Sequence, residues 1–442
     1  MKLPLVTSYS NLQLRLGYLK ILAAMGTRTP TTNEAFERKL ASLFPPPPAK
    51  ASALNSATHF RTDSYIQKLF TDLGHTRGLL NQQNLNELIT LGKAFQFLHP
   101  TNCSLFESAV VLRAIMTPNG VKSVQEMDQK GDNPLKLDPL GLSRMEHAFF
   151  LILVLTTDLP VALAACVAVE HTNPFQLYHG FPGRDELVAG KNAVRSVEKG
   201  GHRGISDESL VPYSENNILF KSYNLVQPKA KNQLSITNWK DWTTYFEGEG
   251  PRSAFETKRF FRMGKRSSFR HHAAPRLEFL VDLDLLNHHT STQGEEDSNY
   301  CYACNERTQR FASFFKANFL DQKELNVDRF VRERAMQCYG NTFGLNLPEA
   351  SASEQLDFLV RAYQAVKREI GTTPMWTTAL MGSLLALDAG VRLEIRTLYE
   401  LARQKAQEEN ATIRLSGGSR FDGEFLIGIA PELLKTHSPK TP

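Results

Sequence analysis

Charge of one sign is scarce in this chain. Its 51 Lys and Arg against 46 Asp and Glu leave a formal net charge of +5, too little for overall basicity to mark a nucleic-acid-binding protein. Cysteine is scarce as well: five residues scattered over 442 make no secreted disulfide framework and fit a reducing compartment. Cys103, Cys166 and Cys338 are therefore expected as buried thiols. The opening residues MKLPLVTSYSNLQLRLGYLKILAAMG hold no continuous apolar stretch ending in a small-residue cleavage site, so no classical export signal is expected and a cytoplasmic address follows. The most apolar segment, 148–169, is long enough for a bilayer, but Asp158 and Pro160 fall in its middle, where a charge costs about 3 kcal/mol. Two core helices joined at Thr156-Thr157-Asp158-Leu159-Pro160 are expected instead of a membrane span, with Asp158 near the second N-cap and Pro160 in its first turn. Also missing are the Gly-x-x-x-x-Gly-Lys phosphate loop, the Gly-x-Ser-x-Gly nucleophile elbow and the His-Glu-x-x-His metal helix.

What is present reads as globular. Hydrophobic residues at 41% and charged residues at 22% sit near the averages for folded domains, and 442 residues exceed one hydrophobic core, so two or three packed units are expected. Residues 32–44 carry Phe36, Leu40, Leu43 and Phe44 on one helical side and end in the proline run 45–48, a stiff linker. Helical periods dominate from about 63 to 169, as in Ile66, Leu69, Phe70 and Leu73 and again in Leu85, Leu88, Leu91 and Phe95. After His171-Thr172-Asn173-Pro174 short apolar pieces alternate with Gly, Ser and Asn, and strands are expected at 175–178, 218–225 and 277–283. Helices return from about 308 to 407, including 354–370 and 375–389, the latter opened by Thr372-Thr373-Pro374. Two strands, 412–415 and 424–427, flank Ser416-Gly417-Gly418-Ser419 as a hairpin or neighbouring pair. The expected class is α+β and predominantly helical. An N-terminal segment with the proline linker (1–50) precedes a helical domain (51–170) and a mixed α+β domain (171–442) with a helical insertion around 305–410.

Three constellations carry chemistry. The first begins at Gln176-Leu177-Tyr178-His179-Gly180, where a histidine and a glycine at a strand end present an imidazole and a bare backbone to a closely approaching ligand. It ends at Phe421-Asp422-Gly423-Glu424-Phe425-Leu426-Ile427, followed by Ile429-Ala430-Pro431-Glu432. The pattern resembles ADP-ribosyltransferases of the diphtheria-toxin and poly(ADP-ribose) polymerase type. In these a Tyr-His-Gly strand end holds the nicotinamide and its ribose, and a late glutamate precedes an apolar strand. That resemblance implies NAD as the cosubstrate, with Tyr178, His179 and Gly180 contacting it and Glu424 stabilising the oxocarbenium-like ribose as nicotinamide departs. Asp422, two residues earlier, would share the strand face of Glu424 as a second acid. The residue against the nicotinamide falls among Ser206, Ser209, Tyr213 and Tyr223; Tyr213 is preferred because an aromatic face suits stacking. The resemblance covers about 70 residues. It departs from the family in placing roughly 200 residues between the second and third elements, and in having Phe181 where a Thr or Ser follows Tyr-His-Gly. It further implies a protein acceptor and the role of an effector or toxin, delivered into a host cell.

The second constellation is His288-His289 with Cys301 and Cys304, four ligands of the types that close a structural zinc site, though not at a familiar finger spacing. Glu295, Glu296 and Asp297 between them read as an exposed loop. The third is the segment 258–272, where Lys258, Arg259, Arg262, Lys265, Arg266, Arg270, His271 and His272 interleave with Phe260, Phe261 and Phe269, with Phe255 just before. Cations beside aromatic faces suit single-stranded nucleic acid or a dinucleotide, and a solvated helix face over buried phenylalanines gives the same pattern. A helical interaction protein without catalysis is the remaining alternative to the transferase.

Overall fold

The computed structural model describes residues 15–41, 85–116, 141–169, 175–176, 276–288, 301–322, 326–368, 371–417 and 424–436. In chain order the helices begin with α1 (Leu16–Met25), α2 (Asn33–Ala41), α3 (Leu85–Ala94), α4 (Glu107–Ile115), α5 (Arg144–Thr157) and α6 (Pro160–Val169). The strands β1 (Phe175–Gln176), β2 (Leu286–His288) and β3 (Cys301–Cys304) lead into α7 (Glu306–Phe315), which a π-helical turn, Lys316–Leu320, extends. Then come α8 (Val327–Thr342), α9 (Ala352–Val366), β4 (Thr373–Pro374), α10 (Met375–Asp388), α11 (Ile395–Gln407), β5 (Ile413–Ser416), β6 (Phe425–Ile429) and α12 (Pro431–Thr436). The protein is predominantly helical α+β. Among the described residues no helix is long and apolar enough to cross a membrane.

The chain divides into two compact units that are interleaved in sequence: one takes the described residues within Arg15–Leu153 and Asp328–Pro442, the other those within Val154–Val327. In the first, α10 is the central helix and packs against α9, α11 and α4. Every residue from 377 to 387 is buried, as a helix apolar all round must be when its neighbours surround it. Gly390 ends α10 at φ +83, the left-handed position that glycine adopts without a Cβ penalty, and the Gly390 and Val391 N–H groups satisfy the carbonyls of Leu387 and Ala386. Helix α9 starts on a capping box, Ser351 with Glu354, which covers two of the N–H groups a helix start leaves unbonded. Helix α11 buries only Ile395, Leu398, Tyr399 and Ala402, one stripe at helical spacing, and leaves the opposite face to solvent. Strand β6 lies between β4 and β5, antiparallel to both. The expected pair of strands around the Ser-Gly-Gly-Ser stretch is thus present, and Thr373-Pro374, expected only as a helix start, also forms a short strand against Phe425 and Leu426.

In the second unit α6 packs on α7, and β1, β3 and β2 form an antiparallel three-stranded sheet in that order. Both core helices expected across 148–169 are present, and the second, starting at Pro160, belongs to this unit. The Asp158 carboxylate sits 2.7 Å from the Arg276 guanidinium, with both side chains almost fully buried, so the acid between the helices serves as half of an internal ion pair. The strand expected over 277–283 is a correction: residues 276–282 are helical. Leu277, Phe279, Leu280 and Leu283 are all buried, and a short segment apolar on most sides carries no period that separates a buried helix from a buried strand. Phe311, Phe315 and Phe319 stack in succession with centroids 5.5 and 4.9 Å apart, carrying the core of α7 through its π-helical end. Cys103, Cys166 and Cys338 are buried, as expected.

Candidate functional site

Glu424 is the residue of the sequence-derived site that the structure describes most fully. It stands just before β6, and its carbonyl accepts a hydrogen bond from Met375 N–H at 3.0 Å, so the strand start is tied to the first residue of α10. Burial leaves it 8% exposed. The Oε1 atom accepts from Arg403 Nε at 2.7 Å, and Arg403 Nη2 lies at the same distance from it. The Oε2 atom is buried with no hydrogen-bond partner among the described residues. A carboxylate fixed through one oxygen by a guanidinium keeps lone pairs on the other for a further group.

The surroundings are charged and aromatic. Arg403 and Tyr399 are one turn apart on α11 and therefore share a face. The Arg332 guanidinium carbon lies 4.9 Å from the Tyr399 ring centroid and 5.2 Å from that of Trp376. Asp328, one turn earlier on α8, holds Arg332 Nε with both carboxylate oxygens at 2.9 Å. Burial pushes the Tyr399 hydroxyl up to about 12; Arg332 draws it back, while Glu424 and Asp328 push it further. The ring is thus a neutral hydroxyl carrier at ordinary pH. The result is a compact cluster of alternating charge, with two arginines, two carboxylates and two aromatic rings contributed by α8, α10, α11 and the start of β6.

Sequence reasoning singled out Glu424 but missed Arg403, Tyr399, Arg332 and Trp376. The α11 residues Arg403 and Tyr399 lie 21 and 25 positions from Glu424, and on a one-sided helix an arginine beside the buried stripe has the same pattern as a solvated one. The other residues named for NAD binding and catalysis, Tyr178, His179, Gly180, Ser206, Tyr213 and Asp422, lie outside the described residues, as does the basic segment 258–272.

Of the zinc candidates, His289 is likewise outside the described residues. The β-register sets His288 opposite Tyr302, Leu286 opposite Cys304, and Gln176 opposite Cys301. Burial raises the Cys304 thiol to about 11, with a Thr308 hydrogen bond acting the other way. Among the described residues no group of three or more His, Cys, Asp or Glu side chains could hold a metal ion.

Comparison with known proteins adds no relative: no family model matches the chain, and no curated protein or solved structure matches it either.

Proposed function

We propose that the chain is an NAD-dependent ADP-ribosyltransferase in which Glu424 is the catalytic carboxylate. One observation carries this reading: Glu424 is buried and anchored through Oε1 on Arg403, while Oε2 has no hydrogen-bond partner among the described residues. Cleaving the bond between nicotinamide and ribose places positive charge on the ribose as the leaving group departs. A pre-oriented carboxylate lowers that barrier because it needs no reorganisation when the charge develops. In the proposal, His179 and Gly180 hold the nicotinamide ribose and amide, Tyr178, Ser206 and Tyr213 complete the NAD contacts, and Asp422 is the second acid beside Glu424. The acceptor is a protein, and the role is that of an effector acting inside a cell.

The test is incubation of the purified chain with labelled NAD and a cell extract, read as a labelled protein band or as released nicotinamide. Wild type is expected to turn over NAD. Glu424→Gln keeps size and a hydrogen-bond acceptor while deleting the charge, so turnover is expected to fall at least about 100-fold with the circular dichroism spectrum unchanged. His179→Ala is expected to weaken NAD binding and rate together. Equal activity of wild type and Glu424→Gln removes the catalytic assignment, and absence of turnover with every extract favours the alternative of a helical interaction protein without catalysis.

A further inference from the structure

Glu424 is held at two points that belong to two different helices. Its side chain rests on α11, where Arg403 Nε donates to Oε1 at 2.7 Å. Its main chain is tied to α10, whose first residue, Met375, donates its N–H to the Glu424 carbonyl at 3.0 Å. The direction of the carboxylate therefore depends on how the first turn of α10 is set against the second half of α11. The close approach of the two helices lies elsewhere, further along α10, where Gly382 faces Leu398.

Arg332 of α8 touches both points. Its guanidinium carbon lies 5.2 Å from the ring centroid of Trp376, the residue after Met375. It lies 4.9 Å from that of Tyr399, one turn before Arg403 and on the same face of α11. Both separations are within cation–π reach. Arg332 is itself fixed, since Asp328, one turn earlier, accepts from its Nε with both carboxylate oxygens at 2.9 Å. A guanidinium is a rigid plane that stacks on rings, whereas a lysine ammonium is a compact, hydrated point charge on a flexible stem. The plane, and not the charge alone, therefore sets where the two rings lie.

We propose that Arg332 is a positioning residue: in contact with Trp376 and Tyr399, it sets the first turn of α10 against the second half of α11 and so fixes where the Glu424 carboxylate points. The consequence for catalysis rests on the transferase reading; the consequence for the carboxylate does not.

The test compares full-length wild type with Arg332→Lys, Arg332→Met, Trp376→Leu and the Arg332→Met/Trp376→Leu pair. Asp328 is 66% exposed at its side chain, so removing Arg332 strands no buried acid and the variants are expected to fold. The readout is the NMR signal of the Glu424 carboxyl in protein isotope-labelled at its glutamate carboxyl carbons, identified as the signal absent from Glu424→Gln. A mere loss of stability changes the folded fraction and leaves the native signal where it is. Arg332→Lys keeps the cation beside Asp328 but not the plane, and it is expected to move the signal. The double variant is expected to move it no further than the larger single variant, because both changes break one stack. In NAD turnover Arg332→Lys is expected to lower kcat about tenfold with KM within about twofold, since misplacing a catalytic group acts on the transition state more than on substrate binding.

A wild-type Glu424 signal in Arg332→Lys overturns the proposal, and so do additive shifts in the double variant, which would mark two independent local disturbances. The lysine variant decides alone if Arg332→Met does not fold. Wild type without turnover refutes the transferase reading, and the Glu424 signal then still decides the positioning.

Discussion

At its N-terminal end α11 carries a carboxylate, Glu394, that accepts from the backbone amides of Met336 and Gln337. In its second half the same helix lays a guanidinium on another, Glu424, through Arg403. An ion pair brings a full opposite charge into the joint, whereas amides bring dipoles. Desolvation is thus offset at one end and left standing at the other. The difference teaches what kind of device a buried acid becomes. With a guanidinium on one oxygen the acid is held in an ion pair; where backbone amides make its hydrogen bonds, burial raises the carboxyl towards neutrality.

The largest effect expected from this contrast is on stability against pH. Burial raises Glu394 from an ordinary 4.5 to about 7, so its folded value exceeds its unfolded one. Its contribution is fully present below the unfolded value and is lost as pH rises through the folded one. The loss amounts to about 3 kcal/mol at most. Urea denaturation of wild type and Glu394→Gln at pH 5 and pH 8 should give a steeper decline for wild type, the variant lacking this component. Parallel lines would mean that the amide-bound end does not titrate in this range.

A smaller loss is expected from breaking the other end. Arg403→Met leaves the Glu424 carboxylate buried without its cation, and because Arg403 is 30% exposed at the side chain, solvent softens the cost to about 2 kcal/mol. Replacing Glu424 by leucine in the same chain should restore most of that loss, since no uncompensated charge remains. A shift of less than about 0.5 kcal/mol in the single variant would show that the pair is too hydrated to hold the joint.

The smallest effect lies between the two ends. A Cβ added at Gly382 on α10 would meet Leu398 Cδ1 at 2.6 Å, and as a leucine methyl can move, Gly382→Ala is expected to cost about 1 kcal/mol. The substitution should displace α11 from α10 and change exchange at the amides near both Glu394 and Glu424. Stabilisation, as in an exposed helix where alanine outranks glycine, would mean that α11 is not held closely enough to couple its ends.

Some of this organisation was legible in the residues alone. The break at Asp158 and Pro160, the buried stripe of Leu85, Leu88, Leu91 and Phe95, and the strands around Ser416-Gly417-Gly418-Ser419 all carry local signals: a helix start, a 3.6-residue period, a turn composition. Glu424 was legible as an acid before an apolar strand. The helix at 276–282 was not, because a short run buried on most sides loses its period. Glu394 was not legible either: a glutamate before a helix reads as a routine first-turn acid, and its amide partners lie 58 and 57 residues away.

By itself the sequence determined which segments bury a face, where helices start and stop, that the class is helical α+β, and that 148–169 is two core helices. These follow from propensity, capping and hydrophobic period, which act over a few neighbouring residues. Only the tertiary structure decided that segments 15–153 and 328–442 share one compact unit, that Asp158 belongs with Arg276, and that Glu424 and Glu394 meet a guanidinium and a pair of amides. Those outcomes depend on which polar groups are left facing one another after the apolar faces close. That pairing acts across the fold, so residues far apart in the chain determine it together.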